Sequence, residues 1–169
     1  MLEERNVTAL NSGIQAPTFN LPLLGGGQFS LRDALAQSPV VLAFFKVSCP
    51  VCQYAFPLYE QLAKRTEGKI KVIGVSQDDD KATRNFAKTF GITFPIALDD
   101  TRRYPVSNAY GLTNVPTLFE VAQDGHILIS CVGWDKTSIE DIYRRHSAEE
   151  KPGTPLFPAA EAIADFRAG

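Results

Sequence analysis

The sequence predicts a single α/β domain, and two observations lead to this fold class. Two continuous apolar runs, VVLAFF at residues 40–45 and IKVIGVS at residues 70–76, have the composition of strands that are buried on both faces of a sheet. Between them, the segment from Pro50 to Thr66 has the apolar spacing of an amphipathic helix, and Gly68 follows its end. A strand–helix–strand unit of this kind pairs its two strands in parallel through a right-handed crossover.

The composition suits one globular domain and gives no sign of a nucleic-acid or membrane partner. A chain of 169 residues with 44% hydrophobic content can fill one core. Its 17 Lys and Arg against 19 Asp and Glu leave a net charge of −2, without the basic stripe that binds nucleic acid or anionic lipid. No segment is long and apolar enough for a membrane span. We therefore expect protein or small-molecule partners, and a monomer or weak dimer.

The first residues, MLEERNVTALNSG, lack the apolar core of a secretory signal. If this N-terminus is native, we expect a cytoplasmic protein, whereas removal of a leader would indicate a periplasmic or otherwise extracytoplasmic one. Cytosolic thiols are kept reduced, so a disulfide-capable pair in that compartment is more often catalytic than structural. The chain has three cysteines, which are too few for a disulfide scaffold.

The N-terminal part predicts a flexible segment at residues 1–12 and a folded domain from residue 13. The stretch APTFNLPLLGGGQFSLRDAL predicts a short strand pair that turns at the glycines of residues 25–27, followed by a brief helix that begins after Ser30. The three glycines lack the spacing of a dinucleotide-binding fingerprint. We expect no cofactor.

Beyond the second apolar run, DDDKATRNFAKTFG predicts a helix with Asp80 as its N-cap and Gly91 at its C-terminal end. The aspartates at residues 78–80 suit a solvated helix start better than a metal site, because no further ligands follow at the spacing of a hard-cation site. FPIALDD then predicts a short strand, and RRYPVSNAYG predicts a short helix or turn.

The C-terminal part predicts a hairpin and a closing helix. LFEVAQDGHILISCVG contains two β-forming runs around a turn signal at Asp124 and Gly125. KTSIEDIYRRH predicts a helix in which Ser138 and Asp141 form the capping pattern. The folded domain is therefore expected to end at residue 146. Residues 147–169 predict an extended arm that finishes in a short helix.

The chemistry concentrates in FFKVSCPVCQYAFP, residues 44–57, where the first apolar strand passes into the helix. Cys49 falls at the N-terminal end of that helix, with Pro50 at the first helical position, where its missing N–H costs nothing. Unpaired backbone N–H groups and the positive end of the helix dipole favour a thiolate on Cys49, which makes it the better nucleophile. Cys52 lies on the same side one turn further on, where it can attack a mixed disulfide. This arrangement predicts a redox pair.

Two other interpretations of the cysteine pair stay open on the residues alone. A structural zinc site needs four ligands, and besides the pair the chain offers Cys131, His126 and His146, with no second Cys-x-x-Cys motif. Two inert buried thiols are the other alternative, although a proline between cysteines at a helix start has no evident packing purpose. We expect no metal. We interpret Cys131, on a predicted strand, as a buried core thiol.

These motifs together resemble the thioredoxin superfamily. FFKVSCPVCQYAFP is followed further along the chain by NVPTLF and DGHILISCVGW, and in that superfamily a Cys-Pro-x-Cys or related motif faces a cis-proline loop. The leading APTFNLPLLGGGQFSLRDAL and the later FAKTFGITFPIALDDTRRYPVSNAYGL resemble more narrowly the TlpA/ResA-like thiol-disulfide oxidoreductases, or redoxins, and the related AhpC/TSA peroxiredoxins. The resemblance extends over residues 13 to 145. It implies a thioredoxin-like fold with a central mixed sheet flanked by helices, an N-terminal β-hairpin and a central helix–strand insertion.

The resemblance also implies roles for individual residues. Cys49 would attack and Cys52 would resolve, while the backbone of Val115 would pair with a substrate strand beside a cis-proline at Pro116. The alternative for Pro116 is a trans proline that begins a strand. The implied substrate-binding residues lie in the motif and around the cis-proline: Pro50, Val115, Pro116 and Thr117.

The chain departs from the family pattern at two positions beside the motif. Many members have a tryptophan immediately before the first cysteine, where this chain has Ser48. Thioredoxin has a buried acid six residues before that cysteine, where this chain has Ala43. The group that deprotonates Cys52 is therefore unassigned. Lys46, three residues before Cys49, is a candidate for tuning the thiolate electrostatically.

The implied function is thiol-disulfide exchange with protein or small thiol substrates, supported by a thioredoxin or glutathione system, with a role in redox homeostasis and antioxidant activity. The main alternative is a peroxiredoxin-like peroxidase. If Cys52 were the peroxidatic cysteine, the expected hydroxyl residue and proline before it would be Cys49 and Phe45. A different class of function is a thiol-based copper carrier or a redox-sensing interaction module. The direction of electron flow does not follow from the sequence.

Overall fold

The structure is a computed structural model that describes residues 9–147, 154–159 and 161–169. Its helices are α1 (Leu31–Leu35), α2 (Pro50–Arg65), α3 (Asp80–Phe90), α4 (Pro105–Ala109) and α5 (Lys136–His146). Its strands are β1 (Asn20–Pro22), β2 (Gln28–Ser30), β3 (Val40–Phe45), β4 (Lys71–Ser76), β5 (Ile96–Leu98), β6 (Thr117–Val121), β7 (Ile127–Val132), β8 (Trp134–Asp135) and β9 (Phe166–Arg167).

A five-stranded mixed sheet forms the centre of the domain, with the strand order β5-β4-β3-β6-β7. Strand β3 pairs in parallel with β4, as the strand–helix–strand prediction requires, and antiparallel with β6. Strands β6 and β7 form the predicted hairpin. The glycine-rich turn closes the separate β1–β2 hairpin, also as predicted. The predicted α/β class, with helices flanking a mixed sheet and an N-terminal hairpin, is confirmed.

Strand β3 separates two hydrophobic clusters because alternate side chains point to opposite faces of a sheet. One cluster joins Val41, Ala43 and Phe45 to the buried sides of α2 and α5. The other joins Val40, Leu42 and Phe44 to the hairpin, α1 and Tyr110. Every residue of β3 is therefore buried. The strand ends directly before the cysteine motif, so the packed core fixes the position of that motif.

Two helices begin earlier than the sequence predicts. The N-cap of α3 is Asp79, whose Oδ1 accepts a hydrogen bond from the backbone N–H of Ala82 at 2.8 Å, so the prediction of Asp80 is wrong by one residue. The N-cap of α5 is Asp135, the last residue of β8, and its backbone is extended. The carboxylate of Asp135 accepts from the hydroxyl of Ser138 at 3.2 Å, so Ser138 lies inside the first turn and its predicted capping pattern is wrong.

The segment after α5 lies against the domain instead of ending in a helix. In the described residues 154–159 and 161–169, the regular element is β9, which pairs antiparallel with β8. Leu156 and Phe157 are buried in the core cluster of α2 and α5. The predicted short helix is therefore wrong for the described residues, because strand pairing and core contacts stabilise an extended path.

The predicted flexible segment falls mainly on residues 1–8, which lie outside the described residues. Ala9 is buried, and the backbone N–H of Leu10 donates to the Tyr110 carbonyl at 3.1 Å. The domain boundaries at residues 12 and 146 stay predictions. Among the residues that the structure describes, no helix combines the length and the apolar character that a bilayer crossing requires.

Candidate active site at the start of the second helix

Cys49 occupies the N-cap of helix α2. Its backbone is extended (φ −81°, ψ 116°), and its Sγ accepts a hydrogen bond from the backbone N–H of Cys52 at 3.1 Å. Pro50 follows at the first helical position, as predicted, and it is exposed. The N-terminus of a helix presents unpaired N–H groups, which can donate to a hydrogen-bond acceptor such as this sulfur. The Cys49 sulfur is therefore held where the helix can stabilise a negative charge.

Cys52 differs from Cys49 in its surroundings. Cys49 is half-buried, whereas Cys52 is fully buried in the core cluster of α2 and α5, and both are free thiols. Burial raises the pKa of the Cys52 thiol above its ordinary value, and the adjacent Cys49 sulfur adds to the increase. Desolvation disfavours a charged thiolate, so Cys52 keeps its proton while Cys49 faces the solvent. The asymmetry matches an attacking outer thiol and a resolving inner thiol.

The loop before β6 brings a backbone carbonyl to the outer thiol. The Val115–Pro116 peptide bond is cis, as the resemblance implies. The Sγ of Cys49 lies 3.4 Å from the carbonyl oxygen of Val115. Pro116 is buried, and its carbonyl accepts from the N–H of Gly133 at 2.7 Å. The loop is thus fixed to the turn that connects β7 and β8, with the Val115 backbone beside the nucleophile.

The remaining predicted residues lie close to this loop in different settings. Thr117 is buried, and its Oγ1 donates to the Asn114 carbonyl at 2.7 Å, so its side chain braces the loop. Lys46 is exposed. It lines a small cleft of about 170 Å³ that also contains Gln77, Asn114 and Val115. All the predicted site residues are therefore brought to one end of the sheet.

Two further residues hold the segment between β3 and α2, and sequence reasoning assigned neither of them to the site. The N–H of Val47 donates to Oδ2 of Asp78 at 2.8 Å, and the carbonyl of Val47 accepts from Nε2 of Gln53 at 2.9 Å. Asp78 belongs to the acidic run whose sequence predicts a solvated helix start. Its position directly after β4 is the available signal, because parallel neighbours β3 and β4 end at the same edge of the sheet. Both side chains position the Cys49 loop.

Replacing Asp78 by alanine should loosen the Cys49 loop. A partly buried N–H loses a charged acceptor, so we expect the free energy of unfolding to fall by about 1.5 kcal/mol and disulfide exchange to slow severalfold. Asp80→Ala is the matched control, because Asp80 is exposed and pairs with Arg84 on the surface of α3. Urea unfolding and the rate of insulin disulfide reduction measure the two effects. Equal behaviour of the two variants would contradict the positioning role of Asp78.

Cys131 lies behind the site on β7, and its predicted burial is confirmed. Burial raises the pKa of its thiol from 9.0 to about 12, and the negative charge of Asp135 adds to the increase. Its sulfur therefore stays protonated at neutral pH and lacks the accessibility of Cys49. In the described part of the chain, no group of three or more His, Cys, Asp or Glu residues is placed to hold a metal ion.

The raised pKa of Cys131 predicts a loss of stability at alkaline pH. The unfolded thiol loses its proton near pH 9, whereas the folded thiol keeps it up to about pH 12. The contribution of Cys131 to stability is therefore complete below pH 9 and is lost as the pH rises through this window, at about 1.4 kcal/mol per unit. Urea unfolding of wild type and Cys131→Ala at pH 7.5, 9 and 10 tests this. The variant should show the shallower alkaline decline, and parallel declines would contradict the assignment.

The chain is similar to known redox proteins. The model of the AhpC/TSA family matches residues 12–129. The chain is 32% identical to the thioredoxin-like protein YneN of Bacillus subtilis over 122 residues, which cover 70% of this chain and 69% of that protein. It is 29% identical to the thiol-disulfide oxidoreductase ResA of Bacillus subtilis over 147 residues, which cover 86% of this chain and 79% of ResA.

A solved structure supports the fold. The crystal structure of a thiol:disulfide interchange protein DsbE from Chlorobium tepidum superposes with a TM-score of 0.71 at 26% sequence identity. The superposition covers 81% of this chain and 96% of that one. The fold is therefore thioredoxin-like, as the sequence resemblance implies.

Proposed function

We propose that this chain, which belongs to the AhpC/TSA family and is a thioredoxin-like redox enzyme, exchanges disulfides with protein or small thiol substrates through Cys49 and Cys52. One observation carries the proposal: the half-buried Cys49 sulfur accepts the N–H of Cys52 at the start of α2 and lies 3.4 Å from the Val115 carbonyl. The outer sulfur is thus both stabilised by the helix and placed beside a backbone edge. Cys52 is buried and keeps its proton until the second exchange.

The reaction proceeds in two exchanges. The Cys49 thiolate attacks one sulfur of a substrate disulfide, so that a Cys49–substrate bond forms, the substrate S–S bond breaks and the first substrate thiolate leaves. Cys52 then loses its proton and attacks the Cys49 sulfur. The Cys49–Cys52 disulfide forms, the second substrate thiolate leaves, and two electrons have passed to the substrate. The same steps in reverse oxidise a substrate dithiol.

The loop beside Cys49 supplies the binding edge for a protein substrate. An extended segment can pair with the backbone of Val115 while its cysteine approaches the Cys49 sulfur. Pro50 and Pro116 flank that approach, and Thr117 holds the loop through Asn114. The exposed Lys46 lines the cleft that also contains Val115, so its positive charge lies near the proposed binding edge. A thioredoxin or glutathione system is the proposed source or acceptor of electrons.

The peroxidase alternative is weaker at the atomic level. A peroxidatic cysteine must be an accessible thiolate, because the thiolate is the nucleophile. Cys52 is fully buried, and its thiol pKa is raised by that burial. The positions that would carry its activating hydroxyl and proline are Cys49 and Phe45. These features favour disulfide exchange over peroxide reduction by Cys52.

A direct comparison of substrates tests the proposal. The reduced protein should reduce insulin disulfides in repeated turnover with a thiol donor, whereas its consumption of hydrogen peroxide should be slower by at least about 100-fold, or about 2.7 kcal/mol in activation free energy. Rates on both substrates are measured at equal enzyme concentration, with Cys49→Ser/Cys52→Ser as the blank. Fast peroxide turnover would favour the peroxidase, and inactivity on both would favour a carrier or sensor.

A further inference from the structure

Residues 161–169, here called the arm, lie along the loop that the proposed function gives to the substrate. In strand β9, Arg167 pairs with Trp134 and Phe166 pairs with Asp135 of β8. The N–H of Lys136 donates to the carbonyl of Asp165 at 2.9 Å. Strand β8 follows directly from the turn at Gly133 that holds Pro116. The arm therefore extends the structure at the edge where the nucleophile lies.

Side chains near the cysteines also hold the arm. The indole N–H of Trp134 donates to the carbonyl of Ala164 at 2.7 Å, and the N–H of Ala164 donates to the hydroxyl of Tyr54 at 2.9 Å. The guanidinium carbon of Arg167 lies 3.9 Å from the centre of the Tyr54 ring, a cation–π contact. Tyr54 is the fifth residue of α2, two residues after Cys52. One side chain of the motif helix thus contacts two residues of the arm.

The end of the arm covers the backbone that Cys49 contacts. Gly169 lies so close to the Val115 carbonyl oxygen that a Cβ atom placed on it would clash with that oxygen, the same oxygen that is 3.4 Å from the Cys49 sulfur. The side-chain amide of Asn114 donates to the Gly169 oxygen at 3.2 Å. A Cβ atom placed on Gly133 would clash with the Arg167 carbonyl oxygen. These close approaches leave no space for a second extended segment between the arm and the loop.

We propose that the arm is an internal competitor for protein substrates. It occupies the backbone edge at Val115, and an extended protein segment must displace it before its disulfide reaches Cys49. A small disulfide, which needs the sulfur but not the edge, reacts without displacing it. The arm is suited to displacement, because residues 165–169 are exposed and β9 pairs over only two residues. This inference rests on the proposed function and adds selection between protein and small substrates.

Graded substitutions at Arg167 test the competition. Arg167→Ala removes the contact with Tyr54, and Arg167→Pro also removes the N–H from β9. The alanine variant should reduce insulin about two- to fivefold faster than wild type, the range expected for loss of an exposed cation–π contact, and the proline variant faster still. Both should leave the rate on bis(2-hydroxyethyl) disulfide unchanged. Arg32→Ala is the matched control. Arg32 is exposed on α1, which precedes the start of β3, whereas Cys49 follows the opposite end of that strand.

Hydrogen exchange gives an independent measurement. In a mixed disulfide between Cys52→Ser protein and an insulin chain, the N–H groups of Ala164 and Lys136 should exchange faster than in the free variant, because both bond within the arm contact. A mixed disulfide with 2-mercaptoethanol should leave them protected. Unchanged exchange, or equal effects of the Arg167 variants on both substrates, would overturn the competitor. Slower insulin reduction in those variants would also overturn it, since the arm would then assist binding. Wild-type inactivity on both disulfides would instead contradict the proposed function.

Discussion

Cys49→Ser should abolish disulfide reduction. A serine hydroxyl at this position cannot form a disulfide with substrate, so the first exchange is lost together with every later step. We expect turnover of insulin to fall by at least about 1,000-fold, which corresponds to about 4 kcal/mol of lost transition-state stabilisation. The substitution is close to isosteric, and the hydroxyl can still accept the N–H of Cys52 at the helix start. The fold should therefore remain intact, as circular dichroism and urea unfolding can verify.

Cys131→Ala is the control for removal of a thiol. Cys131 is buried on β7, and its thiol stays protonated at neutral pH, so its loss should leave insulin turnover within a factor of two of wild type. If Cys49→Ser retained substantial turnover, the role of attacking thiol would have to pass to Cys52. Loss of activity in Cys131→Ala, with an intact fold, would implicate the third thiol instead.

Cys52→Ser should stop the reaction halfway. Cys49 remains free to attack, so the first exchange proceeds and a covalent Cys49–substrate disulfide accumulates. The second exchange lacks its nucleophile, and turnover should fall by at least about 100-fold, or about 2.7 kcal/mol. Non-reducing gel electrophoresis after incubation with oxidised insulin should reveal the adduct, and peptide mapping should place it on Cys49.

The double variant Cys49→Ser/Cys52→Ser provides the control for adduct formation, because it retains Cys131 alone. No adduct is expected with it. Equal residual turnover in the two single variants, or an adduct carried by Cys131, would contradict the assigned order of attack and resolution.

Much of the fold follows from local sequence signals. Six consecutive apolar residues at 40–45 predict a strand that is buried on both faces, because few other elements bury such a run. As this pattern predicts, β3 lies at the centre of the sheet. Cys49 and Pro50 predict a helix start by their own conformational preferences, and α2 begins at Pro50. These signals act within a few residues of the position concerned, so the sequence expresses them directly.

Contacts between distant segments required more than local patterns. Val115 lies 66 residues after Cys49, and the family resemblance, not any local pattern, predicts that the two residues are close together. The sequence predicts a solvated acidic run at Asp78, whereas its carboxylate accepts a hydrogen bond from the Val47 N–H. In both cases the partner is chosen by the order of strands in the sheet, which no window of sequence contains.

Two further features, a buried carboxylate and the pairing of the arm, do not follow from the sequence for the same reason. Glu120 interrupts an apolar run, and it is fully buried with its carboxylate bound to Arg145 and His146 of α5. The end of the chain predicts a short helix, whereas the arm pairs with β8, and the composition of the arm does not specify that partner. A buried charge or an edge strand becomes predictable only when the element that covers it is known.

Redox equilibration followed by peptide mapping tests the central claim most directly. The protein is incubated in glutathione buffers of increasing potential, quenched with acid and alkylated, and each cysteine is scored by mass spectrometry. We expect a single reversible two-electron transition, with a tenfold change in the oxidised-to-reduced ratio for every 30 mV or so, in which Cys49 and Cys52 become linked and Cys131 stays reduced. Accumulation of Cys49–glutathione or oxidised Cys49 without a Cys49–Cys52 link, or a link between Cys49 and Cys131, would contradict the account.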